Sequence, residues 1–187
     1  MTIRQVPSTN SLQRLDKELS MLRRAFSEIA RDVSFEYIDS LTSEAAIHRQ
    51  NYQGVYLIEL HTSDTHQDLD SWFEAFHAHW DHPRFKDKFT PSTKKKRIAA
   101  HKSLLEWMPL YIGKSKKIGA RIWEHINLDL DAKTFALKLR QRPELELGKL
   151  RLSTINFAKL GIENYDLIAP ALEQAMRDRL NPLVGKQ

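Results

Sequence analysis

The sequence predicts an α/β (α+β) domain in which three short strands, at residues 54–60, 109–113 and 149–156, pack with amphipathic helices. Val55–Leu60, Leu110–Ile112 and Leu150–Ile155 are short β-forming runs bounded by turn residues. Around them, apolar residues recur three and four positions apart, the helical period. Hydrophobic residues make up 41% of the 187, enough to build the core of one domain.

Residues 1–10 read as a loose leader. From Ser11 a long helix is expected, because Leu12, Leu15, Leu19, Leu22, Phe26 and Ile29 form a heptad stripe. The stripe is shorter than the ~3–4 heptads a coiled coil ordinarily needs, so the helix is expected to pack on its own domain. Pairing in a dimer is the sharper alternative. Arg23, Arg24 and Arg31 read as scattered charges on a solvated face. Val33–Ile38 alternates in polarity and suits a short strand, and Leu41–Arg49 a short helix capped by Thr42 or Ser43. Asn51-Tyr52-Gln53-Gly54 punctuates the chain before the first confident strand. On that strand Tyr56 and Ile58 share one face, Val55 and Leu57 the other.

Residues 61–108 separate the first two sheet strands and are too many for a structureless loop. Leu69, Trp72, Phe73, Phe76 and Trp80 give a helical stripe that ends by Pro83. After Pro91, the run Lys94-Lys95-Lys96-Arg97 precedes Ile98, Leu104, Leu105 and Trp107, read as a second helix ending before Pro109. His77, His79, Asp81 and His82 raise the idea of a metal, but residues two apart on a helix diverge, so polar surface histidines are expected. Further on, Ala132–Leu139 reads as a short helix, Gly161–Asp166 as loop, and Leu167–Leu180 as the last helix. In that helix Leu172, Met176 and Leu180 form the buried stripe, with Glu173 at its edge.

The most informative stretch begins at Tyr111-Ile112-Gly113 and continues through Lys114, Ser115, Lys116 and Lys117 to Ile118, Ile122 and Ile126. It reads as a strand, a tight turn at Gly113, and a helix capped by Ser115. Arg121 and His125 lie four apart and project from one helix face, with three lysines crowding the turn. Such a surface suits a phosphate. In order along the chain, Gly54, Tyr56, Tyr111, Gly113, Arg121, His125 and Glu173 resemble the signature of the GIY-YIG nuclease family.

The resemblance implies a small, mainly antiparallel three-stranded sheet. The nuclease domain would span residues 51–187, with a helical insertion at 61–108 and an N-terminal helical region at 1–50. It implies a metal-dependent DNA endonuclease that hydrolyses phosphodiesters and is restriction-like or linked to a mobile element. Tyr56 would be the general base or orient the attacking water; Tyr111 would orient water or phosphate. His125 would assist proton transfer and hold the tyrosine, and Lys114 would tune the base or the phosphate. Arg121 offers fixed charge and paired donors to non-bridging oxygens. Glu173 offers a hard oxygen ligand for Mg²⁺ (or Mn²⁺). Lys94, Lys95, Lys96, Arg97, Lys116 and Lys117 are candidates for the DNA backbone. A palindromic site would call for a homodimer.

Singly, each of these side chains has a plainer role: half-buried strand tyrosines, a solvated helix face, a surface acid. Their joint order is what points to chemistry. One departure is Gly185, where the family's pattern leads one to expect asparagine. It supports an alternative, a catalytically inactive GIY-YIG-fold module that binds nucleic acid. A third reading is a helical interaction protein organised by the N-terminal heptads.

Composition sets bounds. The net charge of +5 and pI near 9.4 are compatible with a nucleic-acid partner. With no cysteine there is no disulfide framework or thiolate metal site. No apolar run approaches a transmembrane span, and Met1–Gln5 lacks the features of a signal peptide. A cytoplasmic location is the corresponding expectation.

Overall fold

The computed structural model describes residues 9–62 and 68–185, so most of the expected leader lies outside the described residues. The elements in order are α1 (Thr9–Asp32), β1 (Glu36–Ser40), α2 (Glu44–His48), β2 (Gly54–His61) and α3 (Leu69–Trp80). They continue with β3 (Ser92–Thr93), α4 (Lys95–Ile98), β4 (Trp107–Ser115), α5 (Ile118–Asn127), β5 (Leu150–Asn156), α6 (Tyr165–Leu180) and β6 (Val184–Gly185).

The main sheet has four antiparallel strands in the order β1-β5-β2-β4, one more than the sequence predicts. The added strand, β1, is the outer one and carries Glu36, Asp39 and Ser40, with a register shift between Tyr37 and Asp39. The short strand expected from the alternation at Val33–Ile38 thus forms a little later, at Glu36–Ser40, and joins the sheet through β5.

The faces of β2 divide as the alternation predicts. Tyr56, Ile58 and Leu60 pack with Met108, Leu110 and the α5 stripe of Ile118, Ile122 and Ile126. Val55 and Leu57 pack with Leu172 and Met176 of α6 and with Phe26 and Ala30 at the end of α1. Only that end of α1 joins the core. Residues 10–24 are exposed along their whole length, against the expectation that the helix packs on its own domain.

The insertion begins as expected, with Trp72, Phe76 and Trp80 stacked along α3 at centroid spacings of 5.4 and 5.5 Å. The second expected helix is reduced to one turn, α4. Trp107 and Met108 pair with His61 and Leu60 instead, so sheet pairing takes the residues the helical reading assigned to that helix. Pro109 sits in β4, where an outer strand with a register shift tolerates a missing N–H donor. Several contacts fasten the insertion to the rest of the chain. β3 pairs with β6. Arg142, buried, lies between the Trp80 and Phe85 rings at 3.7 and 3.8 Å and donates to the Trp80 and Leu137 carbonyls. Burial lowers its pKa to about 9.

A single 3₁₀ turn starts only at Leu139, and Ala132–Leu139 forms no α-helix. Its backbone groups are taken by side chains: the Phe135 carbonyl by Arg121, the Leu137 N–H by His125, and the Ala132 carbonyl by Lys138, whose φ is +56°. Among the described residues no helix is long and apolar enough to cross a membrane.

Candidate active site

The candidate residues come from four elements. Tyr56 stands on β2, Tyr111 and Lys114 on β4, Arg121 and His125 on α5, and Glu173 on α6. β4 lies at the edge of the sheet, with α5 packed on one face and α6 on the other.

Gly113 does not end the strand in a turn, because β4 runs on to Ser115 and Gly113 pairs with Tyr56. Its role is clearance. A methyl group there would lie 2.4 Å from the Tyr56 hydroxyl oxygen and 2.8 Å from the Tyr111 ring. Without a side chain, both rings converge over the strand, their centroids 6.2 Å apart. Gly54 serves the sheet similarly, since a methyl group there would collide with the Ile155 carbonyl of β5 at 2.0 Å.

Ser115 does not cap α5. Its hydroxyl accepts from the Lys117 N–H and donates to the Lys117 carbonyl, closing a local turn. The first helical N–H groups go to the loop before β2: Ile118 to the Tyr52 carbonyl and Gly119 to that of Gln50, at 3.1 and 2.8 Å. The helix is thereby locked beside β2, and this is what brings Arg121 and His125 to the tyrosines.

His125 is buried, its Nε2 2.7 Å from the Tyr56 hydroxyl. The other ring nitrogen, Nδ1, accepts the Leu137 N–H at 3.0 Å. A nitrogen that accepts carries no proton, so in the neutral ring the proton resides on Nε2 and is donated to Tyr56. Burial, and then the nearby Arg121 charge, push the His125 pKa well below its ordinary value, so the ring is neutral at pH 7. Tyr56 is also buried, and burial raises its phenol well above its ordinary pKa, with Arg121 acting in the opposite direction. Arg121 is held by the Glu124 carboxylate and the Phe135 carbonyl.

Glu173 is nearly buried and sits between two cations. Lys114 Nζ meets Oε2 at 2.5 Å, and Arg177 Nη2 meets Oε1 at 3.2 Å. The sequence reading missed Arg177. Its signal was available: Arg177 is one helical turn after Glu173, the spacing at which α-helical side chains meet. Gly185 lies beside it: a methyl group there would make ordinary contact with Arg177 Nη2, at 3.8 Å. Lys114 and Arg177 flank Glu173 while Arg121 pairs with Glu124, so three cations meet two carboxylates and the cluster keeps a positive balance.

The proposed DNA-contacting residues divide. Arg97 points inward, donating to the Arg177 carbonyl and to Asp178 Oδ1 at 3.1 Å. Lys95 and Lys96 are exposed. Lys94 to Arg97 line an open hollow of about 700 Å³ together with His77, Asp81, Ser92 and Thr93. Lys116, exposed, meets Asp166 at 2.9 Å, and Lys117 is exposed beside it. His77 bonds to Asp81 and Thr93, and among the described residues no three His, Cys, Asp or Glu side chains are grouped to hold a metal.

No family model, curated protein or solved structure matches this chain.

Proposed function

We propose that this chain is a metal-dependent DNA endonuclease of the GIY-YIG type. The observation that carries the reading is the Tyr56–His125 hydrogen bond, set among Tyr111, Lys114, Arg121 and Glu173 at one edge of the sheet.

The chemistry follows from the proton positions. Because His125 donates to Tyr56, the phenol's own proton points away from the histidine, and His125 Nε2–H stabilises negative charge on the phenol oxygen. Burial opposes that charge, so Tyr56 becomes a base only as positive charge gathers near it. Arg121 provides part of that charge, and Lys114 would add to it on leaving Glu173. Once its own proton has left to solvent, the Tyr56 phenolate takes the proton of the attacking water as that oxygen bonds to phosphorus. The bond from phosphorus to the leaving oxygen breaks, and the leaving alkoxide takes a proton from solvent. Arg121 neutralises charge on the non-bridging oxygens as it grows. Tyr111, its phenol pKa also raised by burial, keeps its proton and orients water or phosphate.

A divalent cation fits the donor set in a limited sense. Glu173 presents a hard oxygen, Arg177 fixes the other carboxylate oxygen, and Lys114, whose side chain is 35% exposed, is a partner that can exchange. Glu173 would hold the ion, which would supply Lewis-acid neutralisation at the scissile phosphate. A single carboxylate makes such a site weak until DNA phosphate completes it. Lys95, Lys96, Lys116 and Lys117 would contact the backbone of the same DNA.

The test is cleavage of supercoiled plasmid in Mg²⁺. Wild type should relax or linearise the DNA, and chelation with EDTA or Glu173→Gln should stop it. If Glu173→Gln cuts as fast as wild type, the metal assignment is wrong. Salt-sensitive binding without cutting, across several DNA substrates and in both Mg²⁺ and Mn²⁺, would replace the enzyme with a binding module.

A further inference from the structure

We infer that α1 pairs with α1 of a second copy of this chain in an antiparallel two-stranded coil. The inference stands independently of the catalytic reading. Leu12, Leu15, Leu19 and Leu22 are 49–56% exposed, and all lie on one seam. Residues 10–24 touch the body of the protein nowhere that buries them. A helix of this length is marginal alone in water and ordinarily draws its stability from an apolar face that is covered.

Two observations commit the seam to a second α1. The first is that the seam is not free along its whole length. At Phe26 it meets the protein's own core against α6, with Ala30 buried beside it, while Ile29 stays exposed. A parallel partner would carry its own body into the place α6 occupies. An antiparallel partner brings only the start of its helix there, with Leu12 opposite Leu22 and Leu15 opposite Leu19. The second is charge. In this register Asp16 and Arg23 occupy the same flanking position of the heptad, so each Asp16 faces the partner's Arg23, twice by symmetry. Glu18 is already met by Arg14 within its own helix at 2.9 Å.

The chain has no cysteine, so an introduced thiol is the only one present. Leu12→Cys and Leu22→Cys proteins, one of them tagged, are mixed and oxidised. The antiparallel register predicts a disulfide-linked heterodimer, while each variant alone stays uncrosslinked, because its own two thiols lie about 15 Å apart along the coil. Analytical ultracentrifugation of the unmodified chain should show concentration-dependent growth from the 21.8 kDa monomer towards twice that mass. Arg23→Glu should weaken the dimer by roughly tenfold or more, and adding Asp16→Arg should restore it. A monomer at every concentration together with no crosslink overturns the inference. Crosslinking of Leu22→Cys with itself, or no recovery in the double charge swap, overturns the antiparallel register.

Discussion

His125 donates its Nε2 proton to the Tyr56 hydroxyl 2.7 Å away, and a backbone group fixes that direction. The Leu137 N–H occupies Nδ1 at 3.0 Å, so the neutral ring has one tautomer available. The segment that supplies this N–H is the one the sequence reads as a helix. Its irregular path lets residues 135 and 137 reach Arg121 and His125.

Burying His125 neutral has a pH consequence. Its folded pKa lies well below 6.5, whereas in the unfolded chain it is close to that value. Below pH 6.5 the unfolded state therefore binds a proton the folded state refuses. Stability contributed by this group is complete above pH 6.5 and falls as pH decreases towards the folded pKa. Denaturant unfolding from pH 8 to pH 5 should show that loss, and His125→Gln should make the profile shallower. Equal slopes in the two proteins would contradict a buried neutral histidine.

Arg177 positions Glu173. Removing it with Arg177→Ala frees one carboxylate oxygen and leaves the ion pair of Glu173 with Lys114 in place. The expected result is a rise in the Mg²⁺ concentration needed for half-maximal cleavage, by about 10–100-fold, the usual cost of losing a residue that orients a metal ligand. Arg177→Lys should recover part of it. A purely structural role would instead lower the melting temperature and leave the metal requirement unchanged.

Gly113→Ala should damage both fold and site, because the new methyl would lie 2.4 Å from the Tyr56 oxygen. An overpacked position of this kind costs about 1–3 kcal/mol. Gly148→Ala is the control, with nothing within 4 Å of an added methyl. Thermal unfolding of the two should separate them, and equal stability would mean that the tyrosines have room to shift.

Where a residue's partners are close in sequence or follow a strict period, the sequence reading reached the structure. The α5 stripe of Ile118, Ile122 and Ile126, the two faces of β2, and the α3 aromatic stripe are of this kind. The readings that failed depended on distant groups. Ser115 looks like a cap, but the loop carbonyls of Gln50 and Tyr52 do that work. Gly113 looks like a turn, but its reason is the Tyr56 ring on the neighbouring strand. Ala132–Leu139 has helical spacing, but Arg121, His125 and Lys138 compete for its backbone. Among the site residues, Arg177 had a local signal in its spacing from Glu173. What no local pattern carried was that Gly185 would lie beside it.

The central claim is that Tyr56 acts through its hydroxyl. Tyr56→Phe keeps the buried ring and removes only that oxygen, so single-turnover cleavage of one DNA substrate in Mg²⁺, beside a binding assay on the same DNA, tests it most directly. The account predicts a fall in cleavage of about 10²–10⁴-fold with DNA affinity unchanged. Cleavage by Tyr56→Phe at the wild-type rate would contradict it.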